Sequence, residues 1–272
     1  MSNIKLSIVI PSYADPLIHK TIDSLLENSQ LGDQLEIIVV LDGRWTEIPI
    51  KDDKRVRIIH LGANRGMRGA YNAGMAIARG EFVGRLDEHV MFGPGYDKIL
   101  TDDCLPNQIM TPRRYYLNPV EWKIIEEKGY VDCEKLVIQD LGNGVRKFAG
   151  QKWISRSKEM KDVPILESMA MQGSFWIMPK KWWDEVIGGS VQTEGYGPLI
   201  QDSHEIVFKT WKAGGSLVFN KKIWYAHKDS SFPRMHNGGS PENPANCNAG
   251  YKYALDVWEE YFLKEIKPKW GI

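Results

Sequence analysis

Short apolar runs alternate with segments of helical spacing over the first third of the chain. The run at 35–41 is almost wholly apolar, which is typical of a central parallel strand covered on both faces. The segments predicted here are, in chain order, strand 6–10, helix 17–28, strand 35–41, strand 56–59, helix 69–79 and strand 82–86. This order predicts an α/β fold in which residues 1–89 form a doubly wound, Rossmann-like nucleotide-binding half.

The remaining residues, 90–272, have a less regular pattern and no clear linker, so we expect a single domain over 1–272. The elements predicted there are strand 171–178, helix 180–186, helix 202–213, strand 217–224 and helix 251–264. Residues 228–250 are rich in Gly, Pro, Asn and Ser, which is typical of a long loop. Because long loops in compact domains are often lids, we expect this segment to close over a ligand.

Basic and acidic residues balance at 35 each, so no net field draws the chain to nucleic acid or to a membrane surface. The three cysteines are widely separated, which fits neither a disulfide framework nor a metal site and favours a reducing compartment. No apolar run reaches ~18 residues, and the N-terminus lacks the apolar core of a signal peptide. We expect a soluble, cytoplasmic protein without a membrane span, and its oligomeric state stays open.

The triplet Asp87-Glu88-His89 follows the predicted strand 82–86. Side chains two residues apart in an extended segment point the same way, so Asp87 and His89 can share one target. In open α/β sheets, ligands bind at the carboxyl ends of the strands. A carboxylate with an imidazole suits a divalent transition ion such as Mn²⁺, whose other positions can take phosphate oxygens. A turn that ends the strand is the alternative interpretation.

Two further segments suit a nucleotide. Asp42 ends the strand 35–41 and could accept hydrogen bonds from a base or ribose, although a simple turn aspartate is the alternative. Residues 64–72 place Arg65 and Arg68 at a predicted helix start, which is typical of a diphosphate site. The chain has no Gly-x-Gly-x-x-Gly after its first strand and no Gly-Lys-Ser/Thr, which disfavours dinucleotide enzymes and phosphate-loop ATPases.

Together these motifs resemble the nucleotide-sugar-dependent glycosyltransferases of the GT-A fold, including those of family 2. The segments that carry the resemblance are IVIPSY at 8–13, EIIVVLDG at 36–43, the NRG helix start at 64–66 and the strand ending in Asp-x-His at 87–89. Asp-x-His, in place of the usual Asp-x-Asp, is similar to the polypeptide N-acetylgalactosaminyltransferases, which are retaining and manganese-dependent. That similarity continues through 164–175, 202–215, 224–227 and 246–261, so it covers nearly the whole chain without the family's membrane anchor or lectin domain.

The resemblance implies a divalent cation, Mn²⁺ or Mg²⁺, and a UDP-sugar donor. The family's third metal ligand falls on His227, so the implied metal ligands are Asp87, His89 and His227. The residues implied for donor binding are Pro11, Tyr13, Asp42, Asn64, Arg65, Arg68, Asn72, Asp87 and Gly173. The family's Trp-Gly-Gly-Glu-Asn segment is changed here at 199–203, and one sugar-side glycine is Gln172. Glucose, galactose, an N-acetylhexosamine and a pentose therefore all stay open as the sugar.

The predicted helix 202–213 bears on the stereochemistry, and the resemblance implies catalytic roles for Asp202 and Glu205. Inverting relatives carry Glu-Asp at this helix start with the Asp as general base, and Ser203 stands at that Asp position here. An inverting displacement needs a base for the acceptor hydroxyl, whereas in the retaining scheme the leaving phosphate can take the proton. We therefore expect retention, and a simple N-cap is the alternative role for Asp202.

Residues 145–161 hold six basic residues against one acidic residue, with two aromatic residues among them. Basic and aromatic side chains together suit a phosphate-bearing acceptor with stackable bases, although a solvated basic face is the alternative. The residues predicted on the acceptor side are Arg146, Lys147, Lys152, Trp153 and His204.

Small transferases of this general fold also occur in bacteriophages, where some glycosylate hydroxymethylated pyrimidines of DNA. The resemblance therefore makes DNA one acceptor hypothesis, for a phage protein acting in the cytoplasm of a bacterial host. Transfer to protein Ser/Thr or to a surface glycan is an alternative. A non-catalytic module that binds nucleotide sugars is an alternative of another class, because such a module would not need an intact set of metal ligands.

Overall fold

A mixed β-sheet runs through the part of the protein that this computed structural model describes, residues 3–13, 15–229 and 247–272. The strands of this part are β1 (Leu6–Ser12), β2 (Leu35–Asp42), β3 (Val56–Leu61), β4 (Phe82–Leu86), β5 (Val90–Phe92), β6 (Gln108–Asn118), β7 (Lys123–Ile124), β8 (Tyr130–Val131), β9 (Glu134–Asp140), β10 (Arg146–Lys152), β11 (Ile165–Glu167), β12 (Phe175–Pro179) and β13 (Ser216–His227).

Along the sheet the strands follow the order β11-β13-β6-β12-β4-β1-β2-β3, with β5 beside β13 and with β7 and β8 beside β6. The four strands β1 to β4 are parallel, whereas β12 runs antiparallel to both β4 and β6. Strands β9 and β10 form a separate antiparallel hairpin. The α/β fold that the sequence predicts is confirmed, and its central sheet is mixed.

Helices cover both faces of this sheet. They are α1 (Ile18–Asn28), α2 (Gly66–Met75), α3 (Tyr96–Asp103), α4 (Ile154–Glu159), α5 (Lys180–Trp182), α6 (Asp202–Lys212), α7 (Cys247–Tyr261) and α8 (Lys267–Lys269). Turns of π-helix continue α5 and α7, over Trp183–Ile187 and Phe262–Ile266. Among the helices in the described residues, none combines the length and the apolar character that a membrane crossing requires.

The centre of the sheet is made by β1 and β2, whose residues are almost all buried. Ile8 and Ile10 belong to an apolar cluster that includes α1, whereas Val9 belongs to a second cluster that includes α2. Alternate residues of a strand point to opposite faces, so an apolar run without polar alternation needs a layer on each side. The sequence pattern at 35–41 has this physical origin.

Two glycines let α2 lie close to its neighbours. Gly66 has a φ of +75°, and a Cβ on it would lie 2.3 Å from the Pro198 Cβ. A Cβ on Gly74 would lie 2.3 Å from the Val9 Cγ1. A side chain at either position would push the helix away from the sheet or from the segment around Pro198. The start of α2 is therefore held next to the carboxyl edge of the parallel strands.

Several element boundaries differ from those predicted. Helix α2 ends at Met75 rather than at 79, because the amides of Ile77 and Ala78 bond three residues back instead of four. Strand β12 begins at Phe175 rather than at 171, and the terminal helix α7 begins at Cys247 rather than at 251. Most of the predicted lid 228–250, namely 230–246, lies outside the described residues.

The β9–β10 hairpin packs between α6 and the C-terminal helices. Its inward residue Phe148 contacts Phe208 of α6 and Phe262, with ring centroids 4.9 and 5.7 Å apart. The side-chain amide of Gln201, one residue before α6, donates a hydrogen bond to the Phe148 carbonyl at 3.1 Å. The hairpin that carries the basic stretch of the sequence therefore borders the start of α6.

A buried ion pair joins α2 to α6. The Arg68 guanidinium lies 2.5 Å from the Glu205 carboxylate, and their side chains are 0% and 1% exposed. Arg68 also donates to the carbonyls of Ile200 and Gln192, and Glu205 receives a further ion pair from Lys209 at 2.7 Å. Arg68 was predicted for donor binding and Glu205 for catalysis, and both roles stay predictions. In the structure both groups are enclosed and mutually neutralised, which gives them a structural role.

We expect Glu205→Gln to lower the free energy of unfolding by about 3 kcal/mol, because it leaves the Arg68 charge buried without its main partner. Urea denaturation followed by circular dichroism measures this loss. The double variant Arg68→Met/Glu205→Leu is the matched control, and it should recover most of the loss because no buried charge remains uncompensated. A Glu205→Gln variant with wild-type stability would contradict the structural role.

Candidate functional site

Asp87, His89 and His227 converge at the carboxyl edge of the sheet. Asp87 directly follows β4, His89 directly precedes β5, and His227 is the last residue of β13. Antiparallel pairing sets His227 opposite Val90, so the end of β13 reaches the loop between β4 and β5. One ligand atom from each of the three side chains lies within 4.8 Å of the others, and the two imidazole centroids are 5.0 Å apart. The structure thus brings together the three residues predicted as metal ligands.

The Asp87 carboxylate is ionised and engaged on both sides. Its Oδ1 accepts a hydrogen bond from Arg85 at 2.5 Å, and its Oδ2 lies 3.1 Å from His227 Nε2. Burial opposes ionisation here, but the Arg85 charge and the His227 contact outweigh it and hold the pKa of Asp87 far below its usual value. Asp87 therefore stays an anionic oxygen ligand across the physiological range.

Both histidines can offer a neutral nitrogen. Burial lowers the pKa of His227, and its Nδ1 has no hydrogen-bond partner among the described residues. The His89 Nδ1 lies 3.0 Å from Asp15 Oδ2, which leaves its Nε2 for another partner. Two imidazoles and one carboxylate at this spacing can hold a divalent transition ion.

Arg85 is a site residue that the sequence reasoning missed. It lies in β4 with only 6% of its surface exposed, and it donates to the Gly173 carbonyl as well as to Asp87. Burial would lower its pKa, but the charges of Asp87 and Asp202 raise it, so the guanidinium lies within the field of both carboxylates. A charged residue inside the apolar run 82–86 was the signal available in the sequence. Gly173, predicted for donor binding, thus contacts the site through its backbone.

Glu88 also has a role that the sequence did not reveal. Its carboxylate accepts hydrogen bonds from the backbone amides of Tyr13 and Asp15, at 3.2 and 3.4 Å. Burial raises the pKa of Glu88 to about 7. The middle residue of the Asp87-Glu88-His89 triplet therefore faces away from the ligand cluster and ties the end of β1 to this loop.

Asp42 anchors the start of α2. One of its oxygens accepts from the Arg65 amide at 2.7 Å and the other from the Asn64 side chain at 3.0 Å. Burial raises the pKa of Asp42, and the bonds from Arg65 and Gly66 oppose the rise. Three of the predicted donor-binding residues, Asp42, Asn64 and Arg65, are thus brought together where β2 and β3 end.

Pro11 and Tyr13 lie at the end of β1, and the Arg44 guanidinium lies 5.6 Å from the Tyr13 ring centroid. Asn72 faces elsewhere: its side-chain amide exchanges two hydrogen bonds with the backbone of Val191, at 2.8 and 2.9 Å. The donor-binding role predicted for Asn72 stays a prediction, and both polar atoms of this amide hold the 191 segment against α2.

The start of α6 carries polar atoms without partners among the described residues. They are Gln201 Oε1, Asp202 Oδ2 and both ring nitrogens of His204. Gln201 has a φ of +61°, and Asp202 is 7% exposed. Burial lowers the pKa of His204 to about 4, so this imidazole is neutral. Buried polar atoms that the protein leaves unsatisfied are positions where a ligand hydroxyl can bond.

The residues predicted for the acceptor side are divided between ion pairs and packing. Arg146 forms a two-bond ion pair with Glu259 of α7, at 2.7 and 3.0 Å. The Lys147 ammonium lies 5.5 Å from the Tyr251 ring centroid, and Lys152 is exposed at the end of β10. Trp153, also predicted on the acceptor side, is half-buried, and its ring centroid lies 5.9 Å from that of Trp270.

The fold is similar to that of a solved glycosyltransferase. A crystal structure of GalNAc-T7 with UDP, GalNAc and Mn²⁺ superposes with a TM-score of 0.70, covering 97% of this chain and 50% of that chain at 17% sequence identity. The predicted GT-A fold is confirmed.

A relative in sequence is Uncharacterized glycosyltransferase EpsJ of Bacillus subtilis (strain 168), which is 39% identical over 110 residues. The aligned part is 38% of this chain and 31% of that protein, so the chain spans less than a third of this relative's length. Residues 7–159, more than half of the chain, match the family described as Glycosyl transferase family 2. The protein is therefore a member of glycosyl transferase family 2.

Proposed function

We propose that this protein is a metal-dependent glycosyltransferase that moves a sugar from a UDP-sugar to an acceptor hydroxyl. The observation that carries the proposal is the cluster of Asp87, His89 and His227 at the carboxyl edge of the sheet. Membership of glycosyl transferase family 2 supports the reaction class. The UDP, GalNAc and Mn²⁺ in the structure of GalNAc-T7 support the donor and the metal.

The residues present fit a divalent transition ion. The three side chains supply one carboxylate oxygen and two imidazole nitrogens, and the buried His227 Nδ1 has no partner within the described residues. Two imidazoles favour Mn²⁺ over Mg²⁺, which prefers oxygen ligands. The bound ion would neutralise the charge that develops on the leaving diphosphate.

Donor binding is proposed for the residues where β1 and β2 end. Pro11 and Tyr13 would bound the uracil, and the Asp42 carboxylate retains acceptor capacity beyond its bonds to Arg65 and Asn64. Arg65 is exposed at the start of α2, where a guanidinium and a helix N-terminus both attract phosphate. The unsatisfied atoms at the start of α6 would bond the hydroxyls of the sugar, with Asp202 among them.

Retention of the anomeric configuration is part of the proposal. Ser203 occupies the position at which inverting relatives carry their general base, and a hydroxyl cannot accept a proton at neutral pH. In the retaining scheme the oxygen of the leaving phosphate takes the proton from the acceptor. Asp202 then serves to hold the sugar rather than to deprotonate the acceptor.

A phosphate-bearing acceptor, namely DNA with hydroxymethylated pyrimidines, is proposed on the side of the β9–β10 hairpin. The hairpin borders the start of α6 through the bond between Gln201 and the Phe148 carbonyl. Lys147 lies close enough to His204 to lower its pKa, although burial is the larger cause, and Lys152 is exposed on the same hairpin. Lysines along a rim beside the site would neutralise acceptor phosphates. Protein and glycan acceptors are outcomes of the test below.

We expect His227→Ala to lower Mn²⁺-dependent hydrolysis of the cognate UDP-sugar by at least about 100-fold. Loss of a residue that only supports a metal ligand costs up to about 100-fold in activity, and loss of the ligand itself should cost no less. A panel of UDP-sugars is assayed for released UDP with Mn²⁺ and with chelator. His60→Ala, which removes an exposed histidine from β3, is the matched control and should keep wild-type rates. Equal rates in both variants would rule out the metal site. UDP binding by a wild-type protein that turns over no donor would instead favour a non-catalytic module.

The anomeric configuration of the product tests the proposed retention. With an α-linked UDP-sugar we expect an α-linked product, because no base is available at Ser203 to activate a direct displacement. Proton NMR of the anomeric coupling in the purified product gives the answer, and a β-linked product would refute retention.

The acceptor is tested with an oligonucleotide that contains hydroxymethylcytosine. We expect Lys147→Gln/Lys152→Gln to weaken binding and to reduce the slope of log K against log salt by roughly 1 to 2, since each lysine would neutralise about one phosphate. The variant Lys51→Gln/Lys54→Gln removes the same charge from the segment just before β3, outside the β9–β10 hairpin, and should leave the slope unchanged. Equal slopes in both double variants would exclude nucleic acid and favour a protein or glycan acceptor.

A further inference from the structure

His89 is paired with a buried carboxylate outside the ligand cluster. Its Nδ1 lies 3.0 Å from Asp15 Oδ2, and the exposed fractions of Asp15 and His89 are 1% and 6%. The Leu17 amide donates to the other carboxylate oxygen of Asp15. Asp15 is therefore a carboxylate that accepts hydrogen bonds.

This contact decides which ring nitrogen of His89 carries the proton. A carboxylate can only accept, so the proton of a neutral His89 lies on Nδ1 and its lone pair lies on Nε2. A metal ion binds the lone pair of a neutral imidazole. Asp15 thus selects the tautomer in which Nε2 is the ligand atom.

The position of Asp15 is itself tightly held. Its Oδ1 accepts from the Leu17 amide at 2.9 Å, in the turn that begins α1. In α1, the Thr21 hydroxyl donates to the Glu88 carbonyl at 3.0 Å and accepts from the Val90 amide at 2.9 Å. These bonds bracket His89, so the carboxylate and the imidazole are fixed relative to each other by the backbone on both sides.

The two histidines of the site differ in this respect. The Nδ1 of His227 has no partner among the described residues, and its Nε2 contacts Asp87. The orientation of His227 is therefore set by Asp87, which is itself a predicted metal ligand. The orientation of His89 is set by Asp15, which lies outside the ligand cluster. His89 is therefore the histidine whose ring is oriented independently of the other metal ligands.

We propose that Asp15 is a positioning residue, which fixes the tautomer and orientation of His89 and so raises the affinity of the site for a divalent cation. The inference rests on the metal site of the proposed function. Carboxylates behind metal-binding histidines typically strengthen metal binding by about 10- to 100-fold, because they orient the ring and increase its basicity.

The test compares Asp15→Ala and Asp15→Asn with the wild-type protein, using Mn²⁺ alone and no nucleotide. We expect Asp15→Ala to raise the Kd for Mn²⁺ by about 10- to 100-fold in titrations followed by electron paramagnetic resonance. Asp15→Asn should cost less, because its amide oxygen can still accept the Nδ1 proton but brings no charge. The Asn variant also keeps the test decisive if the Ala variant fails to fold.

A second readout reports the tautomer directly. Long-range proton–nitrogen NMR of the metal-free protein should show the proton on Nδ1 of His89 in the wild type and a shift towards Nε2 in Asp15→Ala. Asp97→Asn is the matched control, because Asp97 is another fully buried carboxylate that accepts hydrogen bonds, from Ser29 and the Gln30 amide. It should lower stability while leaving Mn²⁺ affinity and the His89 spectrum unchanged.

The outcomes separate this inference from the proposed function. If the wild type binds Mn²⁺ and His89→Ala does not, but both Asp15 variants bind as tightly as the wild type, the positioning role is wrong and the metal site stands. A loss of affinity in Asp97→Asn equal to that in the Asp15 variants would likewise overturn the role, as a general effect of instability. If the wild type binds no Mn²⁺, the metal site falls and the inference falls with it.

Discussion

Backbone pairing between β13 and β5 is the constraint on which the site depends. It places His227 opposite Val90, directly beside His89 and the end of β4. The register matters because a slip of one residue turns every side chain of a strand to the other face. The long β13 also pairs with β6, so the position of His227 is set by two neighbours at once. Backbone hydrogen bonds between strands thus bring the three ligand side chains together.

Buried charge is arranged around this cluster in matched pairs. Arg85 neutralises Asp87, and Arg68 neutralises Glu205, each at 2.5 Å. An isolated buried charge would be costly, so each pair is needed once its residues are enclosed. The polar atoms that remain without partners in the described chain include Asp202 Oδ2 at the start of α6. Unsatisfied groups next to a charged cluster are typical of a surface built for a ligand rather than for stability.

The sequence determined the strands and helices of the first 89 residues because their pattern is local. An apolar run such as 35–41 requires a central strand, and the polar residues that follow such strands lie at one edge of the sheet. Asp42, Asp87 and His89 could be placed at that edge for this reason, and His227 joined them through the family resemblance. Two arginines with similar surroundings in the sequence, Arg65 and Arg68, could not be told apart in this way.

The tertiary structure decided what each of these polar groups faces. Arg68 and Glu205 are 137 positions apart in the chain, and their ion pair arises only when α2 packs against α6. Arg85 and Asp15 likewise join the site through contacts that no spacing reveals. Periodicity reports which face of an element a residue occupies, whereas charge neutralisation and hydrogen bonding depend on which other element covers that face. The sequence therefore determined the scaffold and the candidate ligands, and packing between distant segments decided which polar side chains stay available for chemistry.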